Sequence, residues 1–126
     1  SMWYPNKDHW SDKPDSVSVV LEVPSPLMAV SNGNLKNTEK LNDNFTRYTW
    51  ATSYPINNYN VTLNIAAYKH FSDIYTSTDG SKLDLDYYVL EANENLARKQ
   101  FEQVKPMLAC YEKLFGKYPF WNDGYA

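Results

Sequence analysis

With Cys110 as the only cysteine among 126 residues, this chain has no partner for an intrachain disulfide, so its fold is not stapled covalently. The position of Cys110 inside a helical pattern reads as a small buried hydrophobe, because a reactive thiol needs a neighbouring base or cation to lower its pKa. Histidine is almost as scarce, with only His9 and His70. A hydrolytic zinc site takes about three protein ligands, commonly two histidines one helical turn apart plus a carboxylate. Neither histidine has a second His or Cys at that spacing, so no metal ligand, cofactor-binding residue or catalytic residue is assigned within the chain. Four glycines supply no phosphate-cradling loop, and no Gly-x-Ser-x-Gly elbow occurs. Basic excess is missing too: 12 Lys and Arg against 15 Asp and Glu give a net charge of -3, which argues against a nucleic-acid partner. No run approaches the roughly 20 apolar residues that span a bilayer, so no membrane segment is expected. The N-terminus lacks a signal-peptide pattern, and Ser1-Met2 reads as a cloning remnant. Asn44-Phe45-Thr46 and Asn60-Val61-Thr62 match the N-glycosylation tripeptide, a pattern common by chance that decides nothing by itself.

What the chain does have is two kinds of periodicity. Residues 16–23 alternate, with Val17, Val19, Leu21 and Val23 on one face, which predicts a half-buried strand ended by Pro24 and Pro26. A shorter run at 27–30 leads to Asn32-Gly33, where a hairpin is expected. Residues 34–44 are polar and read as a surface connection. At 45–53, Thr46, Tyr48, Trp50 and Thr52 share one face, predicted to point inward. Residues 59–71 alternate most clearly and predict one strand, and 83–90 predict another whose last half is buried on both faces. After Glu91 the period becomes helical: Ala97, Phe101, Val104, Leu108, Tyr111 and Phe115 fall in one stripe, read as packing against the preceding sheet. Gly116 and Pro119 mark the end of that helix, and Pro106 predicts a kink or a break near Gln103.

Two further features invite a functional reading. Asp84 and Asp86 share a strand face, as paired glycosidase carboxylates sometimes do, although a solvated outer face opposite Leu83 and Leu85 is the expected arrangement. Eleven Tyr, four Trp and five Phe are enough for a stacking platform if several are exposed together, but such residues more often fill a core.

The segment Phe115-Gly116-Lys117-Tyr118-Pro119-Phe120, preceded by Tyr111-Glu112-Lys113-Leu114, resembles the "fG-x-YPf" signature just inside the catalytic domain of aminopeptidase N-like zinc metallopeptidases, the gluzincin aminopeptidases that include relatives of leukotriene hydrolase. Upstream, Trp3-Tyr4-Pro5 with Asp8 and Ser11-Asp12-Lys13-Pro14 is similar to that family's "P-x-x-D-x-P-x-x-K-A" segment, with Trp10 and Pro14 departing from it. Ala29-Val30-Ser31-Asn32-Gly33 resembles the family's "avSNg" turn. Tyr54-Pro55-Ile56-Asn57-Asn58-Tyr59 with Ala67-Tyr68 resembles a following strand. These cues run in family order over nearly the whole chain.

The resemblance implies an α+β piece: an antiparallel β-sandwich portion, then a strand and a long, kinked helix. Residues 3–77 would be the C-terminal part of the N-terminal β domain, and 78–126 the start of a thermolysin-like catalytic domain, truncated before the zinc site. Zinc is expected in the full-length parent, where H-E-x-x-H and Gly-x-Met-Glu-Asn follow the Tyr-Pro segment; none of these motifs is in this sequence. The chain alone is expected to be inactive, its partner the remainder of the catalytic domain and the parent's substrate a peptide. Self-association of the isolated piece is also expected if apolar faces are bare. The alternative is a free-standing β-rich binding module that uses exposed aromatics for glycan or peptide.

Overall fold

The computed structural model describes residues 3–7, 9 and 11–125; Ser1, Met2, Ala126 and two residues of the proline-rich cue, Asp8 and Trp10, lie outside it. The fold is α+β, with antiparallel sheets and two α-helices, and it divides into compact units at residues 1–66 and 67–126. The boundary that the resemblance implies, after Ser77, falls inside a turn of the second unit, where the Ser77 N–H donates to Ser81 O at 2.9 Å.

In the first unit, β4 (Phe45–Ala51) is the centre of a sheet flanked by β1 (Ser18–Pro24) and β3 (Asn34–Lys40), while β2 (Met28–Val30) pairs with β5 (Asn64–Ala66). The alternation of β1 and β4 works as read. Val23, Tyr48, Trp50 and Thr52 are buried, and Val20 and Phe45 on the opposite faces are exposed. The Trp50 ring, 2% exposed, donates its Nε1–H to Ala29 O at 2.9 Å, and the Tyr48 hydroxyl reaches Leu27 O at 3.4 Å. Both aromatics of β4 therefore bond to backbone beside β2, which gives buried polar atoms a partner where an unmet one would cost about 1–3 kcal/mol.

Three strand expectations are corrected here. Residues 34–44 are not only a connection: β3 pairs with β4, with a register irregularity between Leu35 and Asn37. Its side chains are almost all exposed, so no apolar alternation marked it, and it is held by ladder bonds and by Arg47, which bridges Glu39 at 2.9 Å and Glu22 at 2.7 Å across three strands. Nor does a hairpin close around Asn32-Gly33, because β2 and β3 join different sheets. Gly33 has φ +80°, and a Cβ there would sit 2.1 Å from Ala51 O, so only glycine lets β4 approach. The run at 59–71 is not one strand. Asn58–Asn60 form a 3-10 turn, β5 follows, and after Ala67 the chain starts β6 (Tyr68–Thr76) in the second unit. Side chains compete with the ladder before β5: Asn32 Oδ1 takes the Thr62 N–H at 2.8 Å, and the Ser31 hydroxyl donates to Thr62 O at 2.8 Å.

The second unit is a long hairpin of β6 and β7 (Lys82–Leu90) with α1 (Glu94–Phe101) and α2 (Val104–Phe115). Phe71, Tyr75, Leu83, Leu85 and Tyr87 line one face of the hairpin, and Phe101, Val104, Met107 and Leu108 pack on it. Leu83 and Leu85 are fully buried, and burying each such side chain contributes about 1.5–3 kcal/mol. This reverses the expectation for β7: its first half carries the deepest residues, while Leu90 at its end is half exposed. Tyr125 closes the other edge of β7 through a parallel bridge, its N–H donating to Asp84 O and its carbonyl accepting from Asp86 N–H.

The helical run is two helices, separated at Glu102 and Gln103. Pro106 is the third residue of α2, in the first turn, where a missing N–H loses no intrahelical bond. Gly116 ends α2 with φ +90°, its N–H bonded to Glu112 O. The stripe is only half used: Val104 and Leu108 are buried, but Tyr111 is 53% and Phe115 81% exposed, with Leu114 beside them at 65%. Their predicted packing is overturned: along this part of α2 it is Glu112, bonded to Tyr75, Ser77 and Thr78, that faces the hairpin. Cys110, expected to be buried, is exposed because it lies on the side of α2 away from Val104 and Leu108.

Candidate functional site

Two clusters of titratable side chains stand out, both in the second unit. The first lies on the outer face of the hairpin. His70 and Tyr88 are paired across β6 and β7, as are Ser72 and Asp86. The His70 imidazole stacks on the Tyr88 ring, with centroids 4.6 Å apart and planes 18° from parallel, and His70 Nε2 lies 2.7 Å from Asp86 Oδ1. Desolvation, then the nearby Asp86 charge, pushes the Tyr88 phenol up to about 12. Asp84 shares this face and is exposed, as the alternation required. The cluster is a surface histidine oriented by a carboxylate, and no Ser, Thr or Cys side chain is hydrogen-bonded to His70 among the described residues. Asp84 and Asp86 thus lie on the outer face of β7, opposite Leu83 and Leu85, with Asp86 hydrogen-bonded to His70.

The second cluster joins α2 to the β6–β7 turn and was not anticipated. Glu112 Oε2 accepts from the Tyr75 hydroxyl at 2.6 Å, and Oε1 accepts from the hydroxyls of Ser77 and Thr78 and from the Thr78 N–H. Those bonds, the Ser77 hydroxyl first, hold the Glu112 carboxyl down to about 2, and the bond to Glu112 pushes the Tyr75 phenol up to about 12. In the same turn Asp79 accepts from the Ser81 hydroxyl and N–H and from Lys117 Nζ at 3.0 Å, and its carboxyl is held far below the usual range. Lys117 also sits 4.1 Å above the Trp121 ring, whose Nε1–H donates to Lys82 O. A carboxylate with four donors and a lowered pKa is a poor proton acceptor, so Glu112 is a structural acceptor that locks the helix to the turn. A sequence signal existed: Glu112 flanks the buried stripe of α2, and Tyr75-Thr76-Ser77-Thr78 is rich in donors. Nothing local said that the two would meet.

The remaining sequence candidates stay apart. His9 belongs to the first unit and His70 to the second, and His9 Nδ1 faces the Ser11 hydroxyl at 2.7 Å. Among the described residues no group of three or more His, Cys, Asp or Glu side chains is placed to hold a metal ion. No helix of the described residues is long and apolar enough to cross a membrane. No family model matches this chain, and no curated protein matches it.

Proposed function

We propose that this chain is a non-catalytic structural segment of a zinc-dependent aminopeptidase that removes N-terminal residues from peptides, its first unit the end of a β-sandwich domain and its second the opening of the catalytic domain. The observation that carries the reading is the bare second half of the α2 stripe, since monomeric proteins rarely leave contiguous large apolar side chains uncovered. The ordered family-like cues support it, with Gly116 at a positive φ and Tyr118 packed against the hairpin core where the Gly and Tyr of the signature fall. The chain contributes architecture, and the parent's zinc would supply the activated water. The test is peptidase activity on aminoacyl-anilide substrates, with metal content measured on the same samples, for this chain and for the full-length product of its gene. Zinc and activity in the longer protein alone are expected; stoichiometric zinc or turnover in the 126-residue chain would overturn the reading.

A second reading, a binding module for glycan or peptide, is favoured by Trp3 and Tyr59, both at least half exposed in the first unit. Saturable Trp-fluorescence changes with a glycan or peptide array hit, lost in Trp3→Ala, would favour that reading.

A further inference from the structure

Asn32-Gly33, which closes no hairpin, is the one Asn-Gly dipeptide in the sequence. In such a pair the glycine backbone nitrogen can attack the Asn side-chain carbonyl carbon, because no Cβ stands in the way. The reaction needs a nucleophile not tied up in a hydrogen bond, an amide nitrogen free to depart, and donors on the carbonyl oxygen where negative charge develops. The fold supplies all three. The Gly33 N–H and Asn32 Nδ2 have no hydrogen-bond partner among the described residues. Asn32 Oδ1, in contrast, accepts from the Thr62 N–H at 2.8 Å and from the Thr62 hydroxyl at 3.3 Å. Those donors are themselves held: the Ser31 hydroxyl donates to Thr62 O at 2.8 Å, and Val30 pairs with Asn64 where β2 meets β5. Asn32 and Gly33 are only half-buried, so neither is sealed from water.

We propose that Asn32 is a self-modification site, converted to Asp through a cyclic imide while Thr62 stabilises the oxyanion. Gly33 N loses its proton to hydroxide and bonds to Asn32 Cγ. The Cγ–Nδ2 bond then breaks, and the nitrogen leaves as ammonia, taking its last proton from water. A water molecule adds to the imide and breaks one of its two bonds to Gly33 N. Overall one water is consumed and one ammonia released, with no oxidant or reductant. Opening at Cγ gives Asp; opening at the Asn32 backbone carbonyl gives isoaspartate, which lengthens the main chain by a carbon. Thr62 selects the first, since its donors activate the Cγ carbonyl and hold the new carboxylate. The second displaces Gly33, which stands against the Ala51 backbone with no space for even a Cβ. The site needs no partner and is independent of the function proposed above.

The test incubates the chain at mildly alkaline pH, folded and unfolded in urea, and follows Asn32 by peptide mass spectrometry with chromatographic separation of Asp from isoaspartate. Conversion is expected to be faster in the folded chain than in urea, and to give mainly Asp. In folded Thr62→Val, which loses the hydroxyl donor, it should be about two- to tenfold slower, the range that one hydrogen bond spans. Thr62→Ser, which keeps both donors, should convert at the unsubstituted rate. A folded chain that converts no faster than the unfolded one overturns the proposal and makes the Thr62 bonds a restraint that protects Asn32. Isoaspartate as the main product of the folded chain, or a Thr62→Val rate equal to the unsubstituted one, overturns it as well. If Thr62→Val does not fold, the folded-against-urea comparison and the product ratio of the unsubstituted chain decide by themselves.

Discussion

The two units solve the same problem, burying aromatics that carry a polar atom, by different means. In the first, the polar atom goes to backbone: Trp50 to Ala29 O and Tyr4 to Asn58 O. In the second, the buried Tyr75 hydroxyl goes to a side chain, Glu112, although Trp121 still bonds to Lys82 O, and leucines fill the deepest positions. The difference follows from the elements. Strands of three residues such as β2 and β5 have few ladder bonds, so indole and phenol donors add the cross-links that the ladder lacks. A helix lying on a hairpin satisfies its own backbone, and a carboxylate on its flank is free to fix it to the turn.

The comparison can be broken most severely at Trp50. Trp50→Ala is expected to destabilise the first unit by about 3–5 kcal/mol in urea unfolding, because it opens a cavity and leaves Ala29 O without its donor. Leu85→Ala should cost the second unit about 2–5 kcal/mol, a cavity effect with no polar atom orphaned. The glycines sharpen the contrast further. Gly33→Ala faces both a positive φ and the Ala51 backbone and should cost roughly 3 kcal/mol or more, whereas Gly116→Ala meets open space and should cost only the conformational part, about 1–2 kcal/mol. The smallest effect at neutral pH is expected for Glu112→Gln, which keeps one acceptor oxygen. Its signature is in acid. The Glu112 pKa is depressed on folding, so its stabilising share is complete above the unfolded value of 4.5 and is lost as pH falls towards about 2. Unfolding midpoints of the parent chain should therefore drop over that window more than those of Glu112→Gln. Tyr75 runs the other way: its pKa is raised, so its share is present below 10 and is lost as pH climbs through about 12.

How much was legible beforehand varies residue by residue. Val17 to Val23 and Thr46 to Thr52 announced β1 and β4, because a period of two needs only one covered face, and each had one. Pro106 announced the break between α1 and α2, because a missing N–H is a local fact. β3 was not legible, since a polar edge strand shows no period. Glu112 was not legible either: its donors lie 34 to 37 residues away, and no short-range pattern encodes that meeting.

The sequence by itself determined the local geometry of this protein: where the chain extends, where it coils and where glycine or proline must stand, because those follow from backbone sterics and the spacing of apolar side chains. Only the tertiary structure decided which strands pair, why the alternation at 59–71 is divided between two units, and why one continuous stripe on α2 is buried at Leu108 and bare at Phe115. An apolar period says which face should be covered. Whether it is covered depends on which side of the helix tertiary bonds such as Glu112 to Tyr75 turn to the sheet, and those contacts are distant in the chain.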